Sequence, residues 1–193
     1  MDTFEYLTVF VSIILGLGMT YLILGVGRIL RRKGKYKIYW IHHLQIVSTF
    51  LILLNTWWIT YSWVGMKSLT FLHYMFLMCT PFLVVLASSL LFPGGNKKRI
   101  QDLKEHYYKI YRPYYVLISL TWPLDLVDTL LKGTDRIAEL GWIYVFITLV
   151  TFLIILSAAF NRKPYWHGLV QLYMIVILVV TKFLYAPTLE SFI

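Results

Sequence analysis

Six stretches of mostly apolar residues, each about as long as a bilayer is thick, constrain this chain more than any motif in it. They cover approximately residues 6–30, 38–64, 69–92, 111–131, 140–160 and 165–185. A helix needs about 20 residues to cross roughly 30 Å of hydrocarbon, and in lipid a helix satisfies every backbone N–H and C=O internally. The expectation is an all-α polytopic membrane protein. It is a single integral membrane domain over residues 1–193, with six transmembrane helices arranged as three hairpins with short loops. Composition agrees, since 59% of the residues are hydrophobic and 14% charged. The longest connection, 93–110, reads as an amphipathic basic segment with no room for a soluble domain.

The residues ahead of the first stretch, MDTFEY, carry Asp2 and Glu5 where a secretory signal has its basic region, so the first helix is expected to be retained. Orientation follows from the basic residues, which collect on the cytoplasmic side. Fourteen of the eighteen fall after the first, third and fifth stretches: from Arg28 to Lys37, from Lys97 to Arg112, and at Arg162 and Lys163. Both termini are therefore expected outside the cytoplasm. The net charge of +9 is assigned to loops that meet an anionic leaflet, and nucleic acid is not an expected partner.

Catalytic chemistry is thinly represented. One cysteine, Cys79, supports neither a disulfide framework nor a thiolate metal site within the chain. No phosphate-binding loop, zinc-protease motif or nucleophile elbow occurs, and the GLG of Gly16–Gly18 follows no strand. Ser12, Gly16 and Thr20 recur every fourth residue and read as a small-residue face for helix packing. His42 and His167 have comparable depth and could ligate a haem or metal from two helices, but no acidic residue with ligand spacing accompanies them. No cofactor or metal is expected, and no catalytic residue is named.

Two echoes link the even-numbered stretches: YKIYW at Tyr36–Trp40 with YKIYR at Tyr108–Arg112, and YWIHHLQ at Tyr39–Gln45 with YWHGLVQ at Tyr165–Gln171. Aromatic belts and cytoplasmic charge would generate similar beginnings without a true repeat. At 100° per residue, His42, Gln45, Thr49, Thr56 and Thr60 share a narrow arc of the second helix, whereas His43 falls on another face with Phe50, Trp57 and Tyr61. Tyr114, Thr121, Asp125, Asp128 and Lys132 share a face of the fourth, and His167, Gln171, Lys182 and Tyr185 one of the sixth. Such stripes are costly against lipid and are expected to face protein.

Depth sorts these residues into layers. His42, Gln45, His167 and Gln171 fall in the inner third, and Asn55, Asp125 and Lys182 in the outer third. Ile52, Leu53, Met174 and Leu178 form an apolar waist between them. Asp125 is expected to find Lys182 or Asn55, while Asp128 and Lys132 read as a surface pair one turn apart. Pro113 is read as the entrance of the fourth helix, and Pro123 as a break beside Asp125.

The segment EYLTVFVSIILGLGMTYLILGVGRILRR, with YWIHHLQ and NTWW at Asn55–Trp58, resembles small polytopic bacterial membrane proteins of unassigned function. The resemblance covers the first two helices and implies a bacterial inner-membrane location without implying an activity. The expected function is a small transporter or channel for an ion or small solute, lined by the second, fourth and sixth helices. The alternative is an accessory or assembly subunit, and a haem- or metal-binding enzyme comes third. Expected partners are the lipid bilayer and either a second copy of the chain or another membrane protein.

Overall fold

The computed structural model describes residues 3–32, 34–60, 63, 70–94, 101–132 and 134–185. The elements in order are α1 (Thr3–Arg31), β1 (Tyr36–Lys37), α2 (Trp40–Thr60), α3 (Phe71–Leu90), β2 (Gln101–Asp102), α4 (Leu103–Leu131), α5 (Thr134–Phe160) and α6 (Pro164–Tyr185). The protein is all-α apart from β1 and β2, a two-residue parallel pair. Helices α1, α3, α5 and α6 are long and apolar enough to cross a membrane. Packing closes the six helices into a ring in the order α1–α3–α4–α5–α6–α2, with the heaviest contact between α4 and α5.

This arrangement accounts for the composition of each helix. The four apolar helices have no more than a third of their apolar windows buried, so their outer faces need hydrocarbon-compatible side chains. Helices α2 and α4 are more polar and turn their polar groups inward: His42, Gln45, Ser48, Thr49, Thr56 and Thr60 of α2 are all buried. On α4, Tyr107, Tyr114 and Tyr115 are fully buried. The α2 and α4 backbones make little direct contact, and long side chains bridge the centre.

Helix α4 begins earlier than the sequence reading placed it. Asp102 caps it, its Oδ1 accepting from the backbone N–H groups of Lys104 (2.9 Å) and Glu105 (3.2 Å), so part of the supposed basic connection is helical. Pro113 is therefore an interior residue, and the helix runs on through Pro123. The marked interruption lies elsewhere, at Gly141 in α5, where φ 75° and ψ 168° are open to glycine alone at little cost. At the start of α3, Thr70 and His73 form a reciprocal capping box, which gives His73 a structural role.

The close helix approach is also displaced from its expected position. A Cβ on Gly16 would meet nothing within 4 Å, whereas one on Gly18 would sit 2.8 Å from Leu53 Cδ2 and one on Gly25 would strike the Phe92 ring. The buried seam of α1 is Leu7, Val11, Leu15, Gly18, Leu22 and Gly25, the three-and-four spacing of a helix packing face.

Three basic connections meet at one end of the bundle. Gln101 N–H donates to Lys35 O at 2.9 Å, and Lys37 Nζ lies 3.9 Å from Asp102. The Arg162 guanidinium lies 5.9 Å from the centre of the Tyr108 ring, and Tyr108 meets Tyr39. This basic end and the opposite end each have a polar site.

Candidate functional site

Near the basic end, side chains from α2, α4 and α6 form one directed chain of hydrogen bonds. The carbonyl oxygen of Asn161 accepts only, so His167 Nε2, 2.5 Å away, carries a proton, and Nδ1 of the neutral ring is an acceptor. The Tyr107 hydroxyl donates to Nδ1 at 2.7 Å and accepts from Tyr115 at 3.1 Å. Burial raises the Tyr107 pKa far above the usual tyrosine range, which keeps it a donor. Tyr115 accepts from Gln171 Nε2 at 3.0 Å, and Gln171 Oε1 accepts from Ser48 at 2.5 Å. Beside this chain, Thr49 donates to Gln45 O at 2.7 Å, so the Tyr114 hydroxyl donates to Thr49 at 2.8 Å.

What this chain can do follows from its members. Hydroxyls and imidazole can hand protons along, but the Gln171 amide, donating at nitrogen and accepting at oxygen, does not readily pass one. The network acts as a lock between helices. Its side chains are buried, so breaking one link strands polar groups away from water.

His42 and Gln45 are both fully buried, as expected, and His43 is half-buried with Nδ1 3.0 Å from Tyr39 O. His42 Nε2 donates to Leu91 O at 2.7 Å, and His106 Nε2 lies 3.0 Å from Leu90 O. Two imidazoles thus satisfy carbonyls at the C-terminal end of α3. His42 and His167 do not converge on a common ligand position: the Nε2 atom of each faces a backbone carbonyl. Among the described residues, no three His, Cys, Asp or Glu side chains are placed to hold a metal. His42 Nδ1 and both amide atoms of Gln45 have no hydrogen-bond partner.

The opposite half contains a cavity of about 200 Å³. Its lining includes Asn55 and Thr56 of α2, Pro81 of α3, Thr121 and Asp125 of α4, Tyr144 of α5 and Thr181 of α6. Odd-numbered helices contribute as well as even ones, contrary to the expected lining. Asp125 Oδ2 accepts from the Tyr144 hydroxyl at 2.6 Å, so its observed partner is Tyr144 rather than Asn55. The Lys182 side chain lies outside the described residues. Asn55 Oδ1 is buried without a partner.

Asp128 and Lys132 do pair, but not at the surface. Their side chains are 17% and 6% exposed, and the Lys132 ammonium sits 5.1 Å from the centre of the buried Trp63 ring. No family model, curated protein or solved structure matches this chain. The two polar sites occupy opposite halves of the bundle. Between them lie Ile52, Leu53, Met174 and Leu178, all buried, at the level read as the apolar waist.

The sequence reading missed Tyr107, Tyr115, Ser48, Trp63 and Tyr144. A signal for part of this was present in Tyr107, Tyr111, Tyr114 and Tyr115, spaced i, i+4, i+7 and i+8, which places four phenols on one face. Attributing tyrosines near charged loops to an interfacial belt concealed it.

Proposed function

We propose that this chain is a multi-pass protein of a bacterial inner membrane, with six transmembrane helices in three hairpins and both termini outside. It acts as a carrier for a small solute. The observation carrying this reading is the cavity confined to the half opposite the basic loops, closed below by apolar side chains and then by the hydrogen-bonded lock. A channel needs a continuous aqueous path, whereas a carrier needs a site with a barrier on one side and a bistable element to move it. The lock is assigned that part because its side chains come from three helices, so moving any one of them breaks hydrogen bonds to the others.

The test is solute uptake by vesicles reconstituted with the full chain. Saturable uptake, abolished by Thr56→Trp in protein that still purifies as a monodisperse species, is the expected result. A conductance linear in voltage and concentration would replace the carrier with a pore. The assembly-subunit reading draws on one observation, that polar groups near the basic end largely satisfy one another and so serve as glue between helices. It expects no flux and co-purification with another membrane protein.

A further inference from the structure

We infer that the solute taken by this cavity is a monovalent organic cation: a primary ammonium group carrying a small apolar or aromatic body. The inference rests on the carrier reading, whose cavity it uses. The first support is charge. Among the described residues the lining carries two carboxylates, Asp125 and Asp128, and one ammonium, Lys132, which Asp128 engages as its ion-pair partner. Asp125 is held by a neutral phenol, Tyr144, so the described lining residues carry one negative charge in excess. A carboxylate removed from bulk water is costly without a counter-charge, so an entering cation gains what the unfilled site lacks.

A second support is that the fold already seats one ammonium in this way. Lys132 occupies the space between a carboxylate one helical turn away and the face of the Trp63 indole, at 6% side-chain exposure. Asp125 offers the same elements to a cation from outside: a carboxylate, with the Trp122 indole and Tyr144 phenol beside it in the lining. Cations favour such aromatic faces, more strongly when desolvated. The unpartnered Asn55 Oδ1, a buried acceptor on the opposing helix, suits an N–H donor. The remaining lining, with Ile52, Leu77, Ile147 and Leu178, is apolar and receives the body of the molecule. A cavity of about 200 Å³ limits that body to roughly one aromatic ring with a short arm.

Three probes of nearly equal shape test this on the full chain in detergent: 2-phenylethylammonium, 2-phenylethanol and 3-phenylpropionate. The readouts are tryptophan fluorescence, since Trp58 and Trp122 line the cavity, and the thermal unfolding midpoint. The ammonium should give a saturable response and raise the midpoint, with the alcohol weaker by about tenfold or more and the carboxylate silent. Asp125→Asn should reduce the ammonium affinity to that of the alcohol. The comparison on the unaltered chain stands even if that variant misfolds. Equal responses to ammonium and alcohol, or a preference for the carboxylate, would overturn the cation assignment while leaving the cavity a solute site. Silence from all three, with Thr56→Trp indistinguishable from the unaltered chain, would overturn both the assignment and the carrier reading beneath it.

Discussion

At the scale of single residues, two glutamines of the same polarity and burial do different work. Gln171 joins Ser48 to Tyr115, so Gln171→Met removes two buried hydrogen bonds and should cost about 1–3 kcal/mol, although Ser48 keeps Gln45 O and Tyr115 keeps Tyr107 as partners. Gln45 is equally buried with both amide atoms unpartnered, so Gln45→Met removes a penalty and should be neutral or stabilising. Thermal midpoints in one detergent check both, and a large loss at Gln45 would reveal a bound water or ligand there. The sequence placed both glutamines on inward stripes through helical periodicity. It could not tell them apart, because a partner such as Ser48 lies 123 positions away along the chain. His106 supplies a pH prediction. Burial is the main cause of its lowered pKa, opposed by the carbonyls of Leu90 and Leu91 and reinforced by Lys109, while His42 packs 6.3 Å away. Because the folded value is below the unfolded one, of about 6.5, the unfolded chain binds more protons in the window between them. The contribution of His106 to stability is therefore complete above that value and lost as pH falls through the window. His106→Gln, which keeps a donor for Leu90, should flatten the midpoint-versus-pH curve there.

At the scale of elements, helix identity was legible because hydropathy and a period of 3.6 residues are local properties. Start points and close approaches were less so. The Asp102 cap is an ordinary N-terminal signal, but the basic run around it resembles a loop by composition and hid the first two turns of α4. The kink at Gly141 depends on a backbone angle that a glycine permits without requiring. The glycines of α1 make the same point and can be tested. Gly16→Ala meets open space and should be neutral or stabilising by up to about 1 kcal/mol through helix propensity. Gly25→Ala drives a methyl into the Phe92 ring, which itself packs edge-on against His42, and should cost about 1–3 kcal/mol through overpacking. Unfolding midpoints of the two variants measured together provide the comparison. Equal values would mean that the contact of α1 with the α3 end is looser than described.

At the scale of the whole molecule, the joined basic loops convert local chemistry into a statement about crossings. Lys35 and Gln101 share a backbone hydrogen bond, so they lie on one side of any bilayer, and the chain between them crosses an even number of times. Among the described residues the helices between them are α2 and α3. If α3, which is apolar and long enough, crosses, then α2 must cross as well, despite its polar stripe. The same parity joins the rest of α4 to α5, because Tyr108, in the second turn of α4, is in contact with Arg162, just after α5. Two helices that composition leaves doubtful are thus obliged to span if their apolar neighbours do. The burial of their polar faces supplies the physical means. Single cysteines placed at Lys35, Lys109 and Lys163 in a Cys79→Ser background should therefore behave as a group toward an impermeant thiol reagent in intact cells. The positive-inside rule sets the sign: all three should be protected, and a cysteine at Ser68, in the connection between α2 and α3, should react. Reaction at all three with protection at Ser68 would invert the orientation but preserve the parity argument. A split among the three basic positions would break it, since no bilayer can pass between loops bonded to one another, and the six-span bundle would have to be abandoned.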